Sequence, residues 1–326
     1  MMETPVTSLA ARLASAAGLV GKRDIAAAVA GLGVGGSDAV PVGDDCAAIP
    51  DGDGFLLLAC EGFLNEFVAA EPFFAGWSGI MVNLSDIAAM GGRPIAVVDA
   101  LWARSEAAAS PIIDGLRQAS AAYGVPIVGG HTNLRNTGEQ LSVAVLGRAT
   151  RLLTSFDAEP GDTLIAAIDL RGRYHDPLPF WDTASDAPPE RLRGDLALLP
   201  EIAEAGLCKA AKDISQGGVI GTLLMLLECS GVGAVIDPQA VPRPEEADLE
   251  RWLGAFPSFG FLLSVKPEAV AAILSRFAAR GIAAAPIGHV DTSRCLRIID
   301  EEREDTVWNL ALAPLIGCAP AGGLHA

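Results

Sequence analysis

Short apolar runs of strand length alternate with helix-length segments along both halves of this chain, and that alternation leaves few architectures open. In the first half FLLLACEGF, IAVVDALWA, VPIVGGHTN and LSVAVLGRA read as strands, the third ending in a tight turn. Between them WSGIMVNLSDIAAMGG and PIIDGLRQASAAYG read as helices, with Ile80, Leu84 and Ile87 forming the apolar stripe of the first. Two further helical signals, VTSLAARLASA and KRDIAAAVAGL, precede them. In the second half TLIAAIDL, GAVID, FGFLLSV, AAPIGHV and CLRIID read as strands, and LALLPEIAEAG, VIGTLLMLLECSG and PEAVAAILSRFAARG as helices. The expectation is an α/β plus α+β protein of two domains, residues 1–153 and 154–326. TSFDAEPGD would link them, because Pro160, Gly161 and Asp162 are turn chemistry. A chain of 326 residues can give each half its own core. The stretch RGRYHDPLPFWDTASDAPPERLRGD is too long and too rich in aromatic and charged residues to be an idle turn.

Charge narrows the partners. A formal net charge of −17 disfavours non-specific binding to nucleic acid and to anionic membranes. It leaves nucleotides open, because divalent cations bridge carboxylates and phosphates. Glu3 stands where a signal peptide carries basic residues, and the apolar run GVIGTLLMLLECSG is cut by Glu228. The six cysteines form no CxxC pair and read as reduced thiols. The expectation is a soluble, cytoplasmic protein without a nucleic-acid or membrane partner.

Four motifs carry the chemistry. Gly43-Asp44-Asp45 ends a glycine-rich loop, and adjacent carboxylates there repel one another unless a cation holds them; a solvated acidic turn is the plain alternative. Asn83 and Asp86 lie three apart on one helix face, beside the apolar stripe, where a buried carboxylate needs compensation. Gly129-Gly130-His131-Thr132 follows the apolar VPIV, and its two glycines permit close backbone approach to an anion, or simply an ordinary turn. Lys212-Asp213-Ile214-Ser215-Gln216-Gly217-Gly218 precedes a strongly apolar helix. Either Asp213 or Ser215 caps that helix, or the carboxylate meets a metal while the Gly-Gly turn meets phosphate.

In this order GDDCAAI, NLSDIAAMGGRP, VGGHTN and KDISQGG, with SGVGAVID downstream, resemble the superfamily of AIR synthase, thiamine-monophosphate kinase, selenophosphate synthetase and the hydrogenase-maturation carbamoyl dehydratase. The resemblance runs from about Lys22 to the end of the chain. It implies an AIR-synthase-like two-domain fold: an N-terminal α/β domain whose strands pair with a second subunit, and a C-terminal α+β sandwich. It implies Mg2+ and ATP as cofactors, with the nucleotide in a cleft between domains. Asp44, Asp45, Asp86 and Asp213 then become metal-ligand candidates, and Gly43, Asn83, Gly129, Gly130, Thr132 and Gly217 nucleotide or phosphate contacts.

Departures from the kinases are local. Their third and fourth motifs look like GGDT and DISDG, where this chain has GGHT and DISQGG, and their GGEDYEL has no counterpart. Selenophosphate synthetases carry a reactive Cys or selenocysteine near the amino terminus, and here no Cys precedes Cys46. The expected function is Mg-ATP-dependent phosphotransfer to, or ligase-type activation of, an oxygen of a small substrate by a homodimer. Lys22 and Lys212 would neutralise the transferring phosphate, and His131 would serve as general acid or base. The alternatives are a thiamine-monophosphate kinase with altered motifs and a non-catalytic ATP-binding protein.

Overall fold

The computed structural model describes residues 8–34, 40–300 and 303–318. Residues 35–39 of the glycine-rich loop and the first residues of the VTSLAARLASA segment therefore lie outside the described residues. The chain forms two compact units: Asp45–Leu152 with Thr183–Gly206, and Met1–Asp44 with Leu153–Asp182 and Leu207–Ala326.

In the first unit the strands β1 (Ala47–Asp51), β2 (Gly54–Gly62), β3 (Arg93–Trp102), β4 (Ile127–Asn133) and β5 (Gln140–Ala149) form one sheet in the order β1-β2-β5-β3-β4. Alternation along β2 and β5 buries Leu57, Ala59, Leu141, Val143 and Val145. It leaves Leu58 and Leu146, which are directly opposite each other, on the open face. A short helix, α4 (Asn65–Ala70), precedes α5 (Pro72–Ala89), which starts on a proline suited to a first helical turn. The other long helix, α6 (Glu106–Tyr123), is N-capped by Ser105, whose Oγ accepts from Ala108 N at 3.2 Å, and ends on Gly124 in the left-handed region. The two long helices meet backbone to backbone. A methyl group on Gly76 would lie 2.1 Å from Ile112 O, and one on Gly115 2.0 Å from Phe73 O.

The second unit contains a seven-stranded sheet in the order β15-β14-β10-β13-β6-β12-β9. Its strands are β6 (Thr163–Ile168), β9 (Ala210–Asp213), β10 (Gly233–Ile236), β12 (Gly260–Val265), β13 (Ala283–Asp291), β14 (Cys295–Asp300) and β15 (Arg303–Asn309). A small sheet, β11-β8-β7, is made of β7 (Arg173–Tyr174), β8 (Phe180–Asp182) and β11 (Phe256–Pro257). Of the helices, α1 (Leu9–Ala14) packs on β15 and α2 (Ala17–Lys22) on α9 (Gly218–Ser230). α3 (Asp24–Leu32) follows α2, α10 (Leu249–Leu253) touches α9, and α11 (Val270–Ala279) lies on β13. Both β12 and α9 are buried nearly throughout, as uninterrupted apolar runs require.

The units are not the two halves of the sequence. The chain passes from one unit to the other at Leu152/Leu153, residues 1–44 are grouped with the C-terminal segment and residues 183–206 with the N-terminal one. Helices α7 (Pro189–Leu196) and α8 (Leu198–Glu204) account for the second exchange. Arg193 donates from Nε and Nη2 to the carbonyls of Ala122 and Ala121, which the C-terminus of α6 leaves without helical partners. TSFDAEPGD is likewise no exposed linker: Thr154, Ser155, Ala158 and Asp162 are all buried.

Candidate metal and nucleotide site

Asp86 is held on α5 beside the stripe Ile80, Leu84 and Ile87, every member of which is fully buried, and its own exposure is only 7%. One turn earlier, Asn83 is fully buried; its Nδ2 donates to Gly79 O at 2.8 Å, while its Oδ1 has no hydrogen-bond partner. Asp45, at the start of the same unit, brings a carboxylate oxygen within 4.8 Å of one from Asp86. Two carboxylates so close, one of them buried, repel unless a cation lies between them, and hard oxygen donors are what magnesium takes. The residues present fit the ion that the sequence implies, and Asn83 Oδ1, three residues before Asp86 on α5, is a buried oxygen without a hydrogen-bond partner.

Asp44 is oriented differently. Its Oδ2 accepts from Ser155 N at 2.8 Å and its Oδ1 from Ser155 Oγ at 2.7 Å, and Ser230 Oγ donates to Ser155 O at 2.7 Å. The adjacent carboxylates thus face different neighbours: Asp45 approaches Asp86, whereas Asp44 is bonded to Ser155. Asp44 instead ties the loop to residues 154–162, a role that the spacing of the motif does not disclose.

Gly129, Gly130, His131 and Thr132 lie inside the edge strand β4, not in a turn beyond it. The parallel register sets His131 opposite Ala100 and Thr132 opposite Leu101, so the two point to opposite faces of the sheet. The His131 ring lies 5.7 Å from that of Trp102. Gly130 lies over Asp99: a methyl group there would be 2.7 Å from Asp99 Oδ1. Burial pushes the Asp99 carboxyl above its ordinary range. Asp99 is a residue that the motifs miss; the available signal is a single acid within the apolar strand IAVVDALWA.

In the second unit Lys212 and Asp213 end β9 and are 4% and 9% exposed. The capping alternative for Asp213 and Ser215 is not realised: the N-cap of α9 is Gly217, without a side-chain cap. Gly218 adopts φ +63°, and a methyl group on it would lie 2.2 Å from Leu253 O, so no other residue fits. Lys22 lies at the same loop, its Cε 3.7 Å from where a Gly217 methyl would stand, and Gly18 of the same helix abuts Gln216 O. Lys22, Lys212, Asp213 and Gly217 are therefore gathered in one unit, as Asp45, Asn83 and Asp86 are in the other.

A protein of uncharacterized function from Synechocystis is 47% identical over 87% of this chain and 88% of its own length. The thiamine-monophosphate kinase of Pyrococcus horikoshii is 30% identical over 63% of this chain and 69% of its own. PurL of T. maritima, solved in complex with ADP, superposes with a TM-score of 0.71 at 21% identity over 85% of this chain, which spans only 46% of that longer protein. Among the described residues no helix is long and apolar enough to cross a membrane. Residues 43–149 match the AIR synthase related protein N-terminal domain and residues 174–301 its C-terminal domain, so the chain belongs to the AIR synthase related family.

Proposed function

We propose that this protein is a Mg-ATP-dependent phosphotransferase or ligase that activates an oxygen of a small substrate. The observation that carries the proposal is the approach of Asp45 and Asp86 to within 4.8 Å, with the buried, unpartnered oxygen of Asn83 one helical turn before Asp86. Asp45, Asp86 and Asp213 are proposed as magnesium ligands, and Gly129, Gly130, Thr132 and Gly217 as phosphate contacts. When bound, the ion supplies charge neutralisation at the transferring phosphoryl group. Lys22 and Lys212 add positive charge, and His131 is the side chain proposed to handle the acceptor's proton. Support by relationship comes from the family itself, in which one relative is named a kinase and PurL has been solved with ATP. A homodimer in the cytoplasm, without nucleic-acid or membrane partners, completes the proposal.

Calorimetry tests it directly. Mg-ATP should bind the wild type, and Asp45→Ala should weaken binding by about tenfold or more, the scale on which metal sites respond to lost support. Equal affinity in the presence of EDTA would remove the metal from the proposal.

A further inference from the structure

The long stretch after β6 contributes Tyr174 and Trp181 to an aromatic cluster in the second unit, where Trp252 of α10 joins them. Trp181 stands edge-on to both neighbours, with centroids 5.2 Å from Tyr174 and 5.2 Å from Trp252. Packing alone does not account for the polar atoms. Trp252 Nε1 donates to Pro242 O at 2.9 Å, whereas Trp181 Nε1 and Tyr174 OH are buried without a hydrogen-bond partner. Trp181 is only 7% exposed, so water does not provide for it freely. Over the Tyr174 ring lies the guanidinium of Arg251, 3.6 Å from the centroid, paired at 2.5 Å with the exposed Asp176. The cluster adjoins the fourth motif, because Gly218 is pressed against Leu253 O, the residue after Trp252.

We infer that this cluster binds the acceptor substrate through an anionic oxygen group, a carboxylate or a phosphate, received by Trp181 Nε1, Tyr174 OH and Arg251. An indole N–H and a guanidinium can only donate, so the occupant that satisfies them must be rich in acceptors. A buried donor left unmade is costly, and an occupant's oxygen removes that penalty. Burial also pushes the Tyr174 hydroxyl above its ordinary range, which keeps its proton available for donation. An entering anion would displace Asp176 from Arg251, exchanging an exposed ion pair, which contributes little, for a contact with ligand. This inference rests on the proposed phosphotransfer only in calling the occupant the acceptor.

The test uses acetate and inorganic phosphate as probes and the indole N–H signals of the full-length 15N-labelled protein as readout. The Trp181 signal is identified by its loss in Trp181→Phe. It should shift saturably with one probe, and the probe that acts tells carboxylate from phosphate. Trp77, Trp102 and Trp308 should stay still, and Arg251→Gln should weaken the response about tenfold, the loss of one charge-assisted contact. A Trp181 signal unmoved by either probe would mean that its N–H merely faces the neighbouring rings, and the inference fails. A non-saturating drift of every indole would likewise mean binding of an adventitious ion only, and overturn it. Calorimetry with Mg-ATP on the same sample separates the two claims. ATP binding with a silent Trp181 removes this inference alone, whereas a responding Trp181 without ATP binding removes the phosphotransfer proposal and leaves an anion site.

Discussion

At the scale of single residues, two positions decide which chemistry the first unit and the fourth motif allow. His131 stands where thiamine-monophosphate kinases resemble GGDT, and Gln216 where they resemble DISDG, so two carboxylates of that pattern are absent. An imidazole cannot act as a hard anionic ligand to magnesium, and an amide carries no charge to balance one. The protein should therefore fail to convert thiamine monophosphate to thiamine diphosphate. Chromatography of the products with Mg-ATP checks this, and turnover of about 1 per second or faster, within the ordinary enzyme range, would restore the kinase alternative. Asp99 gives a second prediction. Its folded-state pKa is raised by burial, so it favours folding below the unfolded value and opposes folding as pH rises through the folded value. Asp99→Asn should raise the thermal midpoint at pH 7 and leave it nearly unchanged at pH 3. No difference at pH 7 would show that the carboxylate is compensated in the folded state. Asp45 stands out in the sequence through its charge conflict with Asp44, and Asn83 and Asp86 as polar side chains beside a buried apolar stripe. The divergence of Asp44 toward Ser155 is not legible there, since a contact across more than a hundred residues leaves no mark in local spacing.

At the scale of elements, the long apolar segments are legible because burial on one or both faces imposes their composition: α5, α6, α9, β6 and β12 are all of this kind. The elements that escape detection are those whose positions impose less. AAIPD of β1 contains a proline and REDTVWN of β15 opens on three charged residues, yet each needs only one neighbour because it forms a sheet edge. Glu228 is in sequence merely an interruption of the apolar run, and in the structure it is a clamp. Its Oε2 accepts from Leu315 N at 2.6 Å and Ile316 N at 2.9 Å, and its Oε1 from Gly317 N at 2.7 Å and Cys318 N at 3.3 Å. Four amide donors converge on one buried carboxylate at the C-terminal end of α9, so the side chain joins that helix to residues 315–318. Glu228→Gln would turn an amide group toward those donors and should lower stability by about 3 kcal/mol, the loss of two hydrogen bonds to a charged acceptor being partly relieved by movement of the segment. Urea unfolding measures it, and a change below about 0.5 kcal/mol, the range of neutral surface substitutions, would show that the four bonds are dispensable.

At the scale of the whole molecule, the open face of the first unit's sheet is out of keeping with the rest of the surface. Ile49, Leu58, Val98 and Leu146 are 48%, 47%, 41% and 37% exposed, and α5 packs on three of their four strands, β2, β3 and β5. A contiguous apolar face of this kind on a chain of net charge −17 needs a reason, because solubility alone would place charge there. The homodimer proposed above supplies one, with the same face of a second copy as the cover, a self-complementary arrangement that twofold symmetry closes. A stable interface of ordinary size buries about 1,600 Å² in total, an area to which four strands of exposed side chains can contribute substantially. Two chains each carrying this excess of negative charge also repel one another, and added salt screens that repulsion while leaving apolar burial intact. Light scattering at micromolar protein should give a dimer mass, with dissociation on dilution occurring more readily at low salt than at about 0.15 M. Leu58→Glu, which sets a carboxylate opposite Leu146, should yield a monomer with an unchanged circular dichroism spectrum. A wild type that remains monomeric at both salt concentrations would leave the apolar face without its proposed cover and would remove the dimer from the functional proposal.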